Sequence, residues 1–217
     1  MGLKRVFACG VISVLAMSQL VHATDDVGQW LNKLQHRWTV NQYQLTGIEQ
    51  IDAFKALIMT ADEAVKNYPE GAELWVWKGI INASYAGLGG GLGALKYAKT
   101  GRSDLEKAIA IDDTVLNGSA YTSLGALYYQ VPGWPIGFGD DDKAEALLKK
   151  ALILNPEGID SNYFYGDFLL SQKRYQQAVM YLGKAAQAAP RAGREIADDA
   201  RHKEIAAAIA QAQNHIK

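Results

Sequence analysis

Small and apolar side chains return at a fixed interval of 34 residues in the second half of this chain: Ala144 with Ala178, Leu148 with Leu182, Ala151 with Ala185 and Pro156 with Pro190. Self-similarity at such a period marks a chain built from one supersecondary unit repeated. Inside the unit the spacing is helical, because Ala178, Leu182 and Ala185 step by four and three along one face. A unit of about 34 residues holds two helices and a turn, yet cannot bury its apolar face alone. The chain must therefore stack helix pairs into an all-α solenoid with a concave and a convex side.

Working outward from the regular unit at 159–190, less regular ones are expected at 118–156 and 72–113, a degenerate pair at 27–69 and a C-terminal capping helix at 194–216, all within one domain, 24–217. The first helix is read from the stripe Val27, Leu31, Leu34 and Trp38, and the second from Ile51, Phe54, Ile58, Ala61, Val65 and Tyr68. The last helix carries Ile205, Ile209, Ala212 and Ile216 on one side and Gln211, Gln213 and Asn214 on the other, the polar face of a cap. Gly79, Gly125, Gly166, Ala144, Ala178, Ala151 and Ala185 are small where paired helices cross, and Pro156 and Pro190 end units because proline offers no amide hydrogen.

Two units are longer than the period allows. A glycine-rich stretch at 87–93 separates the helices of the second, and Gly125 to Ala144 spans 19 residues where Gly166 to Ala178 spans 12. The added segment in the third unit includes Pro132, Gly133, Trp134 and Pro135. Prolines stiffen such a loop and tryptophan supplies large contact area, so Trp134 and Phe138 are candidate binding residues. The bland alternative is that both rings fold back to cover a gap between helices.

At the N-terminus, Lys4 and Arg5 precede an apolar run from Val6 to Val21, and Val21, His22 and Ala23 resemble a signal-peptidase site. The expectation is a cleaved leader at 1–23, a mature chain from Thr24, export to the periplasm and no integral membrane segment afterwards. Cys9, the only cysteine, has too little apolar sequence before it for a lipid-attachment site. Its loss with the leader leaves no thiol, which excludes disulfides and thiol nucleophiles. The mature part keeps 20 of the 22 basic residues against 23 acidic ones, so nothing favours nucleic acid as a partner.

No catalytic constellation stands out, and the expectation is a non-enzyme without cofactor. Gly89, Gly91 and Ala94 mimic a dinucleotide fingerprint, but they lie between helices and not after a strand. Asp140, Asp141 and Asp142 suggest a metal, yet they precede a helix start where aspartate caps free amides, with Asp142 and Glu145 at capping-box spacing. His36, His202 and His215 are scattered, so no metal site is expected. In the tetratricopeptide arrays that this period resembles, the first helix of each pair lines the groove, which implies Glu73, Val76, Thr122, Tyr129, Asp160, Tyr163, Asp167 and Leu170 there. Their aromatic and acidic character suits a peptide or amphipathic helix carrying positive charge; the competing occupant is the C-terminal helix itself.

On these landmarks the chain resembles exported tetratricopeptide-repeat (TPR) proteins, whose fold is a right-handed helical-repeat solenoid with capping helices. Through Tyr128-Tyr129, Pro132-Gly133-Trp134-Pro135, Gly139-Asp140 and the run from Asn162 to Asp167 it is similar to the T-component family of TRAP transporters of Gram-negative bacteria. That resemblance implies a periplasmic accessory protein that associates with a solute-binding protein and takes part in import of a small hydrophobic or acidic ligand. The alternative is an envelope scaffold that docks proteins without handling solute.

Overall fold

The computed structural model describes the backbone of residues 12–89 and 91–216 and the side chains of residues 26–89 and 93–216. The expected leader at residues 1–23 lies outside the side chains so described. Nine helices run along the described residues: α1 (Ile12–Tyr43), α2 (Gly47–Asn67), α3 (Ala72–Leu88), α4 (Gly91–Ile111), α5 (Val115–Gln130), α6 (Asp141–Leu154), α7 (Ile159–Ser171), α8 (Tyr175–Ala186) and α9 (Glu195–Asn214). Each odd helix from α1 to α7 packs on the even helix after it and on the next pair.

The pairs close on a recurring contact. A Cβ added at Gly79 would lie 2.6 Å from Leu105 Cγ, at Gly125 2.7 Å from Leu148 Cγ, and at Gly166 2.7 Å from Leu182 Cγ. The glycine of each first helix thus makes room for the leucine of the second, one turn beyond Ala144 and Ala178, both fully buried. In the α3/α4 pair the residue one turn before Leu105 is Gly101, whose own added Cβ would lie 2.9 Å from the Gly79 carbonyl oxygen. That glycine, which periodicity alone did not single out, lets two backbones approach where the other pairs use alanine.

α2 buries Phe54, Leu57, Ala61, Ala64 and Val65. Leu57 and Ala64 replace Ile51, Ile58 and Tyr68, which are only half-buried, because the buried stripe is turned slightly from the expected one. The expected stripe of α1 holds, with Leu34 and Trp38 buried and Val27 and Leu31 packed beside them. In α9, Ile205 and Ala212 are buried, whereas Ile216 lies past the last helical turn and is exposed.

The two long units differ in how they use their extra residues. In the second, helix continues to Leu88 and resumes at Gly91, so most of the glycine-rich stretch expected as a connection lengthens the hairpin. In the third, residues 131–140 form a compact loop whose ends meet: Gly139 N–H donates to Pro132 O at 3.0 Å, and Asp140 N–H to Tyr128 O at 2.9 Å. Its tip turns on hydrogen bonds from Ile136 and Gly137 amides to Gly133 O, each 3.1 Å. Asp140 then caps α6, accepting from Lys143 N–H at 3.0 Å. The cap is thus Asp140 and not the Asp142 and Glu145 pair; Glu145 instead reaches Arg174, Lys149 and Tyr165.

Candidate functional site: a closed groove and an open loop

α9 packs on α8, reaches across to α7 and touches α1 at the opposite end of the array. It therefore crosses the concave side instead of merely extending the stack. Three arginines make the crossing. Arg201 Nε donates to Asp160 Oδ1 at 3.0 Å, and its guanidinium lies 4.2 Å from the Tyr163 ring centroid and 4.8 Å from that of Phe164. Arg191 bridges Asp160 on α7 to Asp198 on α9, at 2.6 Å from the latter. Arg194 lies 4.9 Å over Trp77, which packs edge-on against Trp38, itself edge-on to Tyr43.

The groove chemistry read from the sequence, aromatic and acidic, is thus met by positive charge from the chain's own helix. Burial pushes the Asp160 carboxyl up, but Arg201 and Arg191 outweigh it and hold it below its ordinary range. The same pairing raises the Arg201 guanidinium against the burial that would lower it. Burial pushes the Tyr163 hydroxyl up to about 12, so it stays protonated.

The remaining groove candidates are distributed unevenly. Tyr129 Oη donates to Asp167 Oδ2 at 2.6 Å, tying α5 to α7. Burial, and then Asp167, raise the Tyr129 hydroxyl well above its ordinary value, so this is a donor and not an ionised phenolate. Thr122 and Leu170, expected to offer surface, are buried at 5% and 8% exposure, because the α5 and α7 faces that carry them pack into the core. Val76 is fully buried for the same reason. Glu73 is half-exposed at the start of α3.

The inserted loop separates its two rings. Phe138 packs edge-on against Tyr128 and under the Arg102 guanidinium, 4.6 Å from its centroid, which anchors the loop. Trp134 does not fold back: it is 89% exposed, and Ile136 beside it is 67% exposed. An apolar cavity of about 410 Å³ lies behind this loop, walled by Ala83, Ala86 and Gly87 of α3, Ala94, Leu95 and Ala98 of α4, and Leu127, Pro132 and Ile136.

Sequence reading missed Arg191 and Arg194 ahead of α9, Arg201 on it, and the apolar cavity. The arginines had a signal, a basic cluster just after Pro190 in a chain with acidic residues on its first helices. The cavity had none, since it arises where two insertions meet in space. No cluster of metal-ligating side chains occurs among the described residues, and no helix there is long and apolar enough to cross a membrane.

No protein-family model matches the sequence, and no curated protein matches it. Among solved structures the chain is similar to TTC0263, a thermophilic TPR protein of Thermus thermophilus, with a TM-score of 0.58 at 18% identity over 74% of this chain and 75% of that one. Two MamA structures align at TM-scores of 0.47 and 0.46, with 16% and 19% identity, over 88% and 79% of this chain and 92% and 95% of theirs. The first likeness speaks to fold alone, and the MamA alignments carry no argument. Repeat period, glycine-on-leucine crossings and the structural neighbour agree: the chain is an all-α TPR-like helical-repeat solenoid.

Proposed function

We propose that this protein is a docking module of the bacterial periplasm that serves a TRAP-type solute transport system by binding its solute-binding protein. The observation that carries the docking reading is Trp134, 89% exposed on a loop fixed at its base by backbone hydrogen bonds and by half-buried Phe138. A rigid, exposed aromatic beside an exposed isoleucine is the composition of a binding hot spot, and little side-chain entropy is lost when it is covered. The leader-like N-terminus supports export, and the run from Tyr128 to Asp140 supports the transporter family.

The test is a photo-crosslinking amino acid at position 134, with cross-linked species from the periplasmic fraction identified by mass spectrometry. The expected product is a solute-binding protein, lost in a Phe138→Ala background that frees the loop. Cross-links to envelope-assembly proteins would replace transport with scaffolding. A chain whose intact mass shows residues 1–23 retained would overturn the periplasmic assignment.

A further inference from the structure

The apolar cavity exists because two short-chained stretches face one another. Ala83, Ala86 and Gly87 on α3 and Ala94 and Ala98 on α4 are too small to fill the angle of the lengthened hairpin. The inserted loop roofs that angle without entering it. It is held against α4 near Leu95, whose Cδ1 lies 3.4 Å from where a Gly137 Cβ would stand, and again where Phe138 lies under Arg102. At about 410 Å³ the space falls within the roughly 300–1,000 Å³ of small-molecule sites. Among the described residues, Gln130 is the one side chain with hydrogen-bonding groups in its lining.

A second hollow adjoins the first, with Leu95 as the shared wall. It is lined by Lys96, Lys99, Thr100, Ser103 and Asp104. Asp104 is already engaged, accepting from Lys78 Nζ and from Asn82 Nδ2 at 3.0 Å each. Lys96 and Lys99 have no ion-pair partner among the described residues, and Lys99 stands one turn from Leu95 on α4. Apolar walls thus lead over Leu95 to two ammonium groups and two hydroxyls.

We propose that this cleft binds an unbranched monocarboxylic acid of medium chain length, the alkyl chain in the apolar cavity and the carboxylate over Leu95 against Lys96 and Lys99. The charge of the second hollow selects the head group, because two lysines repel a cationic head and hold an uncharged one less strongly than a carboxylate. The absence of polar walls beyond Gln130 selects an alkyl chain over a sugar or peptide, whose hydrogen-bonding groups would be buried without partners. The proposal deepens the solute-handling reading by naming a ligand class, and it concerns the isolated chain, so failure of partner cross-linking leaves it standing and its failure leaves Trp134 docking intact.

Titration calorimetry of the purified protein with octanoate, decanoate and decyltrimethylammonium below their micelle concentrations, and with decanol below its solubility limit, tests it. One decanoate should bind per chain about fifteenfold more tightly than octanoate, two methylenes at roughly 0.8 kcal/mol each. Decyltrimethylammonium should bind at least tenfold more weakly. Gly87 lines the cavity and an added Cβ there meets nothing within 4 Å, so Gly87→Phe starts without a clash at the backbone. That variant should abolish binding while melting like the parent, and Ile136→Asp, at an exposed site, should weaken it independently. Lys96→Glu with Lys99→Glu should weaken decanoate tenfold or more and leave decanol within twofold. Absence of saturable decanoate binding, undiminished binding by Gly87→Phe, or equal affinity for the cationic amphiphile would each overturn the proposal.

Discussion

Gly166 and Gly183 lie on facing helices of one pair, yet a methyl group means opposite things at the two positions. At Gly166 a Cβ would stand 2.7 Å from Leu182 Cγ and 3.2 Å from the Leu182 backbone nitrogen, so α7 and α8 would have to separate. At Gly183 it would meet nothing within 4 Å. Gly166→Ala should therefore lower stability by about 1–3 kcal/mol, while Gly183→Ala, relieved of glycine's entropy in a helix, should raise it by about 0.5–1 kcal/mol. Chemical denaturation of both variants measures the contrast. Glu145 gives a second test. Arg174 most of all, with Lys149 and Tyr165, lowers its carboxyl to about 2 against burial. A depressed carboxylate contributes stability above the unfolded-state value near 4.5 and loses it as pH falls toward 2. The difference in melting temperature between the parent and Glu145→Gln should be largest near neutral pH and shrink across that window.

Element by element, legibility followed periodicity. α8 was readable because Ala178, Leu182 and Ala185 are buried at helical spacing in a segment with no insertion. The second unit misled because glycine is ambiguous: the stretch at 87–93 reads as a turn, but tertiary packing of α3 on α4 keeps most of it helical. α5 shows another limit, since Leu116 takes a left-handed conformation that its residue type does not favour, beside Asn117 and Gly118, which do, and Gly118 fits against Leu154 there. The groove residues were legible as a face but not as a surface, because whether that face is open depends on α9, distant in sequence. α9 buries mostly alanine, Ala197, Ala208 and Ala212, with Ile205, so little apolar area holds it. Its grip comes from Arg191, Arg201, Asp160 and Asp198, of which Arg191 and Asp160 are one-third exposed and Arg201 and Asp198 nearly buried, so the Arg191 to Asp160 pair is the one open to salt. Raising the ionic strength to about 1 M, where the screening length is about 3 Å, should loosen it. Hydrogen exchange should then accelerate in α9 while α8, packed through Leu182 and Ala185, stays protected.

At the scale of the molecule the core divides on α3. Leu34, Trp38, Phe54, Leu57 and Trp77 belong to one cluster, and residues from Ala72 to Ala212 form the other. In an open repeat array a local defect fades with distance from the damaged unit. Here α9 touches α1, so the two ends are neighbours. Phe54→Ala, a fully buried ring on α2, should cost about 3–5 kcal/mol. Its effect on amide exchange should reach α9 more strongly than α6, although α6 is nearer in sequence; decay along the chain order instead would mean that the α1 to α9 contact couples nothing.

That contact also fixes a number. Solenoids ordinarily gain or lose a unit by duplication or deletion with little disturbance, because each unit answers only to its neighbours. A helix pair added between α1 and α9 would carry the C-terminal helix away from Trp77 and Tyr43 and strand Arg194 from its aromatic partner. Lengthening by whole units is closed to this chain, and growth is confined to the turns inside its pairs, where both of its insertions are found.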